Sequence, residues 1–199
     1  SVRFVDVTAE TGLDFVHATG SAGSYPMPAI MGGGVAVFDA DGDGLLDLYF
    51  PNAGSAVAGD AGRNRFYLQR PRGRFVDTTE GSGLDNPGYG MGAAVGDIDN
   101  DGDLDLYVTN FGADILYRND GGGRFDDATA ELGLATLAWS TSAVFFDANL
   151  DGWLDLYVAR YVQWNEARTG RLLRPAAVRG RGGCLLPQRG RPALREPQS

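Results

Sequence analysis

Lysine is absent from this chain, so all 17 basic residues are arginine, and there is one cysteine, Cys184, and one histidine, His17. A lone cysteine excludes an internal disulfide, and with no histidine in its neighbourhood Cys184 reads as an unpaired thiol rather than a nucleophile. His17 sits in DFVHATGSAG, where Thr19, Ser21 and Ser24 look like ordinary loop residues, a weak basis for general-base chemistry. Long apolar runs are missing too. The least polar stretch, LATLAWSTSAVFF, carries Ser and Thr and falls short of the roughly 18 residues of a membrane span. No signal peptide is visible, and the chain starts at Ser1 without methionine, as expected if a leader has been removed or omitted.

What is present is acid, unevenly distributed. The formal net charge is −9, yet residues 160–199 hold nine arginines against two glutamates while residues 1–159 hold 24 acids against eight arginines. The composition changes at the same place. RLLRPAAVRGRGGCLLPQRGRPALREPQS shows neither strand alternation nor a helical stripe and is rich in Arg, Gly and Pro, so residues 164–199 read as a disordered tail. Without interleaved aromatics this basic tail does not argue for a nucleic-acid partner.

Most of the acid falls in three copies of one phrase: DADGDGLLDLYF from Asp39, DIDNDGDLDLYV from Asp97 and DANLDGWLDLYV from Asp147. Carboxylates at the first, third and fifth positions of a tight loop converge on one point, a glycine at the sixth (Gly44, Gly102, Gly152) permits the turn, and the seventh residue can offer a carbonyl. The side-chain ligands expected are Asp39, Asp41, Asp43 and Asp47 in the first loop and Asp97, Asp99, Asp101 and Asp105 in the second. In the third they are Asp147, Asn149, Asp151 and Asp155. Leu45, Asp103 and Trp153 would contribute main-chain oxygen. An all-oxygen ring without His or Cys selects a hard cation, and a flexible ring of about six to eight oxygens suits calcium better than magnesium. About three calcium ions per chain are expected, with the third site weakest because Asn149 removes a charge.

An EF-hand is excluded by pattern. Its twelfth loop position should be a bidentate glutamate, whereas here it is Phe50, Val108 and Val158, and the segments that leave the loops alternate as strands rather than helices. Each loop therefore joins two strands. Three copies with carboxylates in register also speak against simple turn aspartates.

A second phrase keeps the same period: RFVDVTAETGL from Arg3, RFVDTTEGSGL from Arg74 and RFDDATAELGL from Arg124. With NRFYLQRPRG and DILYRNDGGG before the last two, one unit reads as four short strands: GVAVFD, the metal loop, DLYFPN, RFYLQR and RFVDTT. Repeated four-stranded units of about 50 residues are the sequence form of β-propeller blades. The fold class expected is thus all-β, a propeller with only about three blades here. The opening RFVDVT would be a last strand of a preceding blade, and the unit count predicts a fragment of a longer protein.

Across residues 3–163 the loop phrases, LYRNDGGGRF and STSAVFFDANLDGWLDLYVARY resemble the FG-GAP or VCBS repeats of integrin-like propellers. The likeness is greatest to the cartilage acidic protein group, which often carries an ASPIC/UnbV segment. The resemblance implies a calcium-stabilised propeller, residues 1–163, on a secreted, periplasmic or cell-surface protein. It would bind a protein or glycan rather than catalyse, with self-association through open blade edges. Two rivals are an accessory domain of a secreted enzyme and an enzyme using His17. Ligand surfaces considered are the insert from Ala18 to Gly34 and the Trp139 region; Tyr25, Trp139 and Trp164 could stack on sugars or simply pack.

Overall fold

The computed structural model describes residues 3–19, 27–53, 62–134 and 137–161 and, as backbone alone, 184–186. Tyr25, Trp164 and the tail apart from 184–186 lie outside the described residues.

The repeated phrases become three successive antiparallel meanders. In the first, β1 (Ala36–Phe38), β2 (Asp47–Phe50), β3 (Arg65–Arg70) and β4 (Arg74–Asp77) pair in chain order. The second contains β5 (Gly90–Gly96), β6 (Asp105–Ala113), β7 (Ile115–Asn119) and β8 (Phe125–Asp127), again paired in sequence. The third pairs β9 (Leu137–Phe146) with β10 (Asp155–Arg160). The end of β6 also pairs with the start of β9, Phe111 opposite Trp139, which fuses the second and third units into one sheet. The protein is all-β with antiparallel sheets; the two helices among the described residues, α1 (Thr8–Thr11) and α2 (Met27–Ile30), are single turns.

The alternation of each strand is spent on two neighbours. In β6, Leu106 and Val108 enter a core shared with Phe38, Tyr49, Phe66, Leu84 and Phe125 of the first two units. Tyr107, between them, turns to a second core with Leu116, Ile98, Leu156 and Val158. The middle unit is therefore buried on both faces, and truncating a fully buried residue such as Leu106 would cost about 2–5 kcal/mol. The outer faces of the end units stay open: Val37 is 52% exposed, Val144 48% and Phe146 40%.

The strand-exit phrase folds as a device of its own. Asp77 Oδ1 accepts the Thr79 N–H while the Thr79 hydroxyl accepts the Phe66 N–H, and Asp127, Thr129 and Leu116 repeat both bonds. The glycine that follows is left-handed in all three copies, at Gly12, Gly83 and Gly133. In the second and third copies this turns a leucine into the core, Leu84 and Leu134.

Two expectations need correction. Residues 3–7 are not a strand: with no strand edge beside them among the described residues, Phe4 is left 95% exposed, whereas the equivalent RFVD and FDD segments have β3 and β7 beside them. The basic tail supplies one strand, β11 (Cys184–Leu186), which pairs antiparallel with β10 in the place a third strand takes in the other units. The short apolar run CLL meets an open, hydrogen-bond-hungry edge, which outweighs the disorder-promoting composition around it.

Candidate metal centres

Each acidic loop links the first strand of its unit to the second and is shaped by its own side chains. Asp39 accepts the N–H groups of Asp43 and Gly44 at 3.1 and 2.9 Å, and Asp147 accepts those of Asp151 and Gly152 at 3.1 and 2.8 Å. Asp97 accepts Gly102 N–H. The fifth-position carboxylate then takes the N–H of the seventh residue: Asp43 from Leu45, Asp101 from Asp103 and Asp151 from Trp153. The sixth-position glycines have φ of 84°, 97° and 87°, the left-handed region that an L side chain avoids.

The ninth-position aspartate braces the unit. Asp47 accepts Ala40 N–H in its loop and Gln69 N–H on β3, both within 2.8 Å. Asp105 does the same with Ile98 and Asn119, and Asp155 takes Ala148 N–H. A carboxylate used this way still has lone pairs for a cation.

Acidic oxygens gather in two of the loops. Asp39, Asp41 and Asp43 each bring one within 4.8 Å of the others, and so do Asp97, Asp99 and Asp105. Asp41 Oδ1, Asp97 Oδ1 and Asp99 Oδ1 are buried with no hydrogen-bond donor. Buried polar atoms normally find a partner, and a hard cation suits a cluster of bare carboxylate oxygens. Asp47 does not join the first cluster, nor Asp101 the second; in the third loop, with Asn149 at the third position, no three acidic groups converge.

The local charge agrees. Burial, reinforced by Asp99 and Asp101, pushes the Asp105 carboxyl up to about 6 against the pull of the Ile98 and Asn119 N–H groups. Burial and Asp101 likewise raise Asp99, partly offset by Arg118, and burial raises Asp47. Asp147, half-buried and held chiefly by Gly152 N–H, is lowered instead. In the first two loops the raised carboxylates, Asp47, Asp99 and Asp105, are disfavoured as anions by burial and then by neighbouring aspartates, a cost that a divalent cation would relieve.

Two sets of residues went unnoticed in the sequence. Arg70 Nη1 lies 3.0 Å from Asp41 and 3.5 Å from Asp43, and Arg118 Nε lies 3.3 Å from Asp99. At the far end of the strands, Asn64 accepts Asn52 N–H and donates to the Tyr49 hydroxyl; Asp114 accepts Asn110 N–H and the Tyr107 hydroxyl. The repeated D-L-Y-x-x-N, followed by Asn or Asp just before the third strand, is the signal that marks this second constellation.

Residues 20–26 of the insert from Ala18 to Gly34, with Ser21 and Ser24, lie outside the described residues, and two of its last three glycines are packed. A β-carbon on Gly33 would meet the Pro51 carbonyl at 2.5 Å and one on Gly34 would lie 3.1 Å from Gly92 Cα, whereas Gly32 faces open space. His17 packs beside Gly33, its Nε2 buried without a partner. Trp139 is buried with its ring 5.1 Å from Phe111 and 5.0 Å from Tyr161. Among the described residues no helix is long and apolar enough to cross a membrane.

A family model described as FG-GAP-like repeat matches residues 55–108 and 97–158. The two matches share the second acidic loop and include the third, while the first lies outside both. No curated protein matches the chain.

Proposed function

Because the chain belongs to the FG-GAP-like repeat family, we propose that it is a calcium-binding, non-catalytic β-propeller module that serves adhesion or the binding of a protein or glycan on a secreted, periplasmic or cell-surface protein. One observation carries the metal part of this reading. In two preshaped loops, carboxylates from Asp39, Asp41 and Asp43 and from Asp97, Asp99 and Asp105 converge, leaving buried oxygens without donors. Calcium would neutralise each cluster and fix the turn between the first two strands of its unit. The third loop, with Asp147, Asn149, Asp151 and Asp155, is the weaker member of the set, and Leu45, Asp103 and Trp153 would add carbonyl oxygen. A cation that binds only the folded state stabilises it by mass action.

The family resemblance and the meander units support the propeller; the location is inferred only from the kind of loop, since loops resting on rigid strands suit extracellular or periplasmic calcium, at about 10⁻⁴ to 10⁻³ M for extracellular modules. The uncovered outer faces, with Val37, Val144 and Phe146 exposed, make self-association part of the same reading. Calorimetric calcium titration of Asp41→Asn and Asp99→Asn tests the assignment. Each should lose or weaken one site and leave the rest, and unchanged uptake in both variants would refute it.

A further inference from the structure

We propose that Arg70 and Arg118 are built-in counter-ions of the first two loops, which hold the third-position carboxylate in the metal-free protein and thereby lower that loop's affinity for a divalent cation. This rests on the reading of the loops as calcium sites and adds a control on their strength.

In both loops a guanidinium lies beside the third-position carboxylate, hydrogen-bonded to it in the first loop and at ion-pair distance, without a hydrogen bond from Nε, in the second. Arg70 Nη1 is 3.0 Å from Asp41 Oδ2, and Arg118 Nε is 3.3 Å from Asp99 Oδ2. The other oxygen of each carboxylate, Oδ1, is buried and has no donor. The third position is also the one that the loop's own backbone N–H groups leave alone, since the bonds to Asp39, Asp43, Asp97 and Asp101 serve the first and fifth positions.

The arginines do not occupy equivalent places. The N–H groups of Gln69 and Asn119 take the same role toward Asp47 and Asp105. In that register Arg70 follows the matching residue and Arg118 precedes it. Two different strand positions thus deliver a guanidinium to the same loop carboxylate, an outcome that copying of the repeat alone would not produce. Arg118 is additionally held 3.3 Å from Glu131, and Arg70 3.5 Å from Asp43. Asn149 has no charge at this position to neutralise.

A cation bound at Oδ1 would sit within a few ångströms of the guanidinium, where repulsion is felt even at a partly exposed site.

The test is calcium titration by calorimetry on the chelator-stripped full chain, with melting in chelator, for wild type, Arg70→Gln, Arg118→Gln, Arg70→Lys and Arg118→Lys. Each Gln variant should bind calcium about threefold to tenfold more tightly at one site and melt lower in chelator, while the Lys variants, which keep the charge, stay close to wild-type affinity. Gln variants that bind equally or more weakly while wild type takes up calcium would overturn the proposal and leave the site assignment standing. So would a large loss of affinity in the Lys variants, the mark of an orienting role. Uptake by the Gln variants alone would support it. No uptake by any of the five proteins would remove both the calcium reading and this inference. Because the arginines serve separate loops, either Gln variant decides the matter if the other does not fold, and the Lys pair decides it if neither does.

Discussion

The side-chain amide of Asn119 donates to the carbonyl of Ala40, 2.9 Å away in the acidic loop of the preceding unit, and to the Leu104 carbonyl of its own loop at 3.1 Å. One buried residue therefore ties two candidate metal loops together, and Gly123 N–H adds a second bond to the same Ala40 oxygen.

Asn119→Ala should destabilise the protein by about 1–3 kcal/mol, since Leu104 loses its side-chain donor and Ala40 keeps only that of Gly123. It should also loosen calcium binding at the first loop, although no ligand there is altered. Chemical denaturation with and without calcium measures both; an unchanged first site would mean the loops act independently.

The fourth loop position is left-handed in every copy, with φ of 71° at Gly42, 59° at Asn100 and 59° at Leu150. Glycine and asparagine accept this conformation, whereas leucine there costs about 1–2 kcal/mol. Leu150 is 88% exposed, so its side chain returns almost nothing in packing. Leu150→Gly is expected to raise stability by about 0.5–1 kcal/mol, less than the full strain because glycine also gains freedom in the unfolded chain. A denaturation midpoint at or below wild type would contradict this.

Asp114 is buried, and that burial raises its pKa despite hydrogen bonds from Ser140, Asn110 and Tyr107 and the nearby charge of Arg160. With the folded value above the unfolded one, near 3.9, the contribution of Asp114 to stability is fully present below that pH and is lost as pH rises through the folded value. Asn64 fills the same place in the first unit as a neutral amide. In chelator, Asp114→Asn should therefore gain on wild type as pH rises from about 4 to 7. A melting-temperature difference that does not change with pH would count against it.

How far the sequence disclosed this structure depended on whether the signal was local. The turn glycines and the strands leaving at Asp47, Asp105 and Asp155 follow from spacing within about a dozen residues and fold as read, whereas the carboxylates converge only as Asp39, Asp41 and Asp43 and as Asp97, Asp99 and Asp105. The ninth-position aspartates carry more than a ligand's role, because their second oxygen reaches strands more than ten residues ahead, at Gln69 and Asn119. Arg70, Arg118 and Asn119 were not legible as parts of the site. Their partners are set by sheet register and by the packing of one unit on the next. The RFVDVT opening shows the converse: its pattern is that of a strand, but pairing needs an edge.

The central claim, that these loops are structural calcium sites, is tested most directly by melting the chelator-stripped full chain with and without excess calcium while measuring stoichiometry by calorimetry. The account predicts uptake of two to three ions per chain, at the loops that begin at Asp39 and Asp97 and more weakly at Asp147, together with a clear rise in melting temperature. A folded chain that takes up no calcium and melts at the same temperature in both conditions would contradict it.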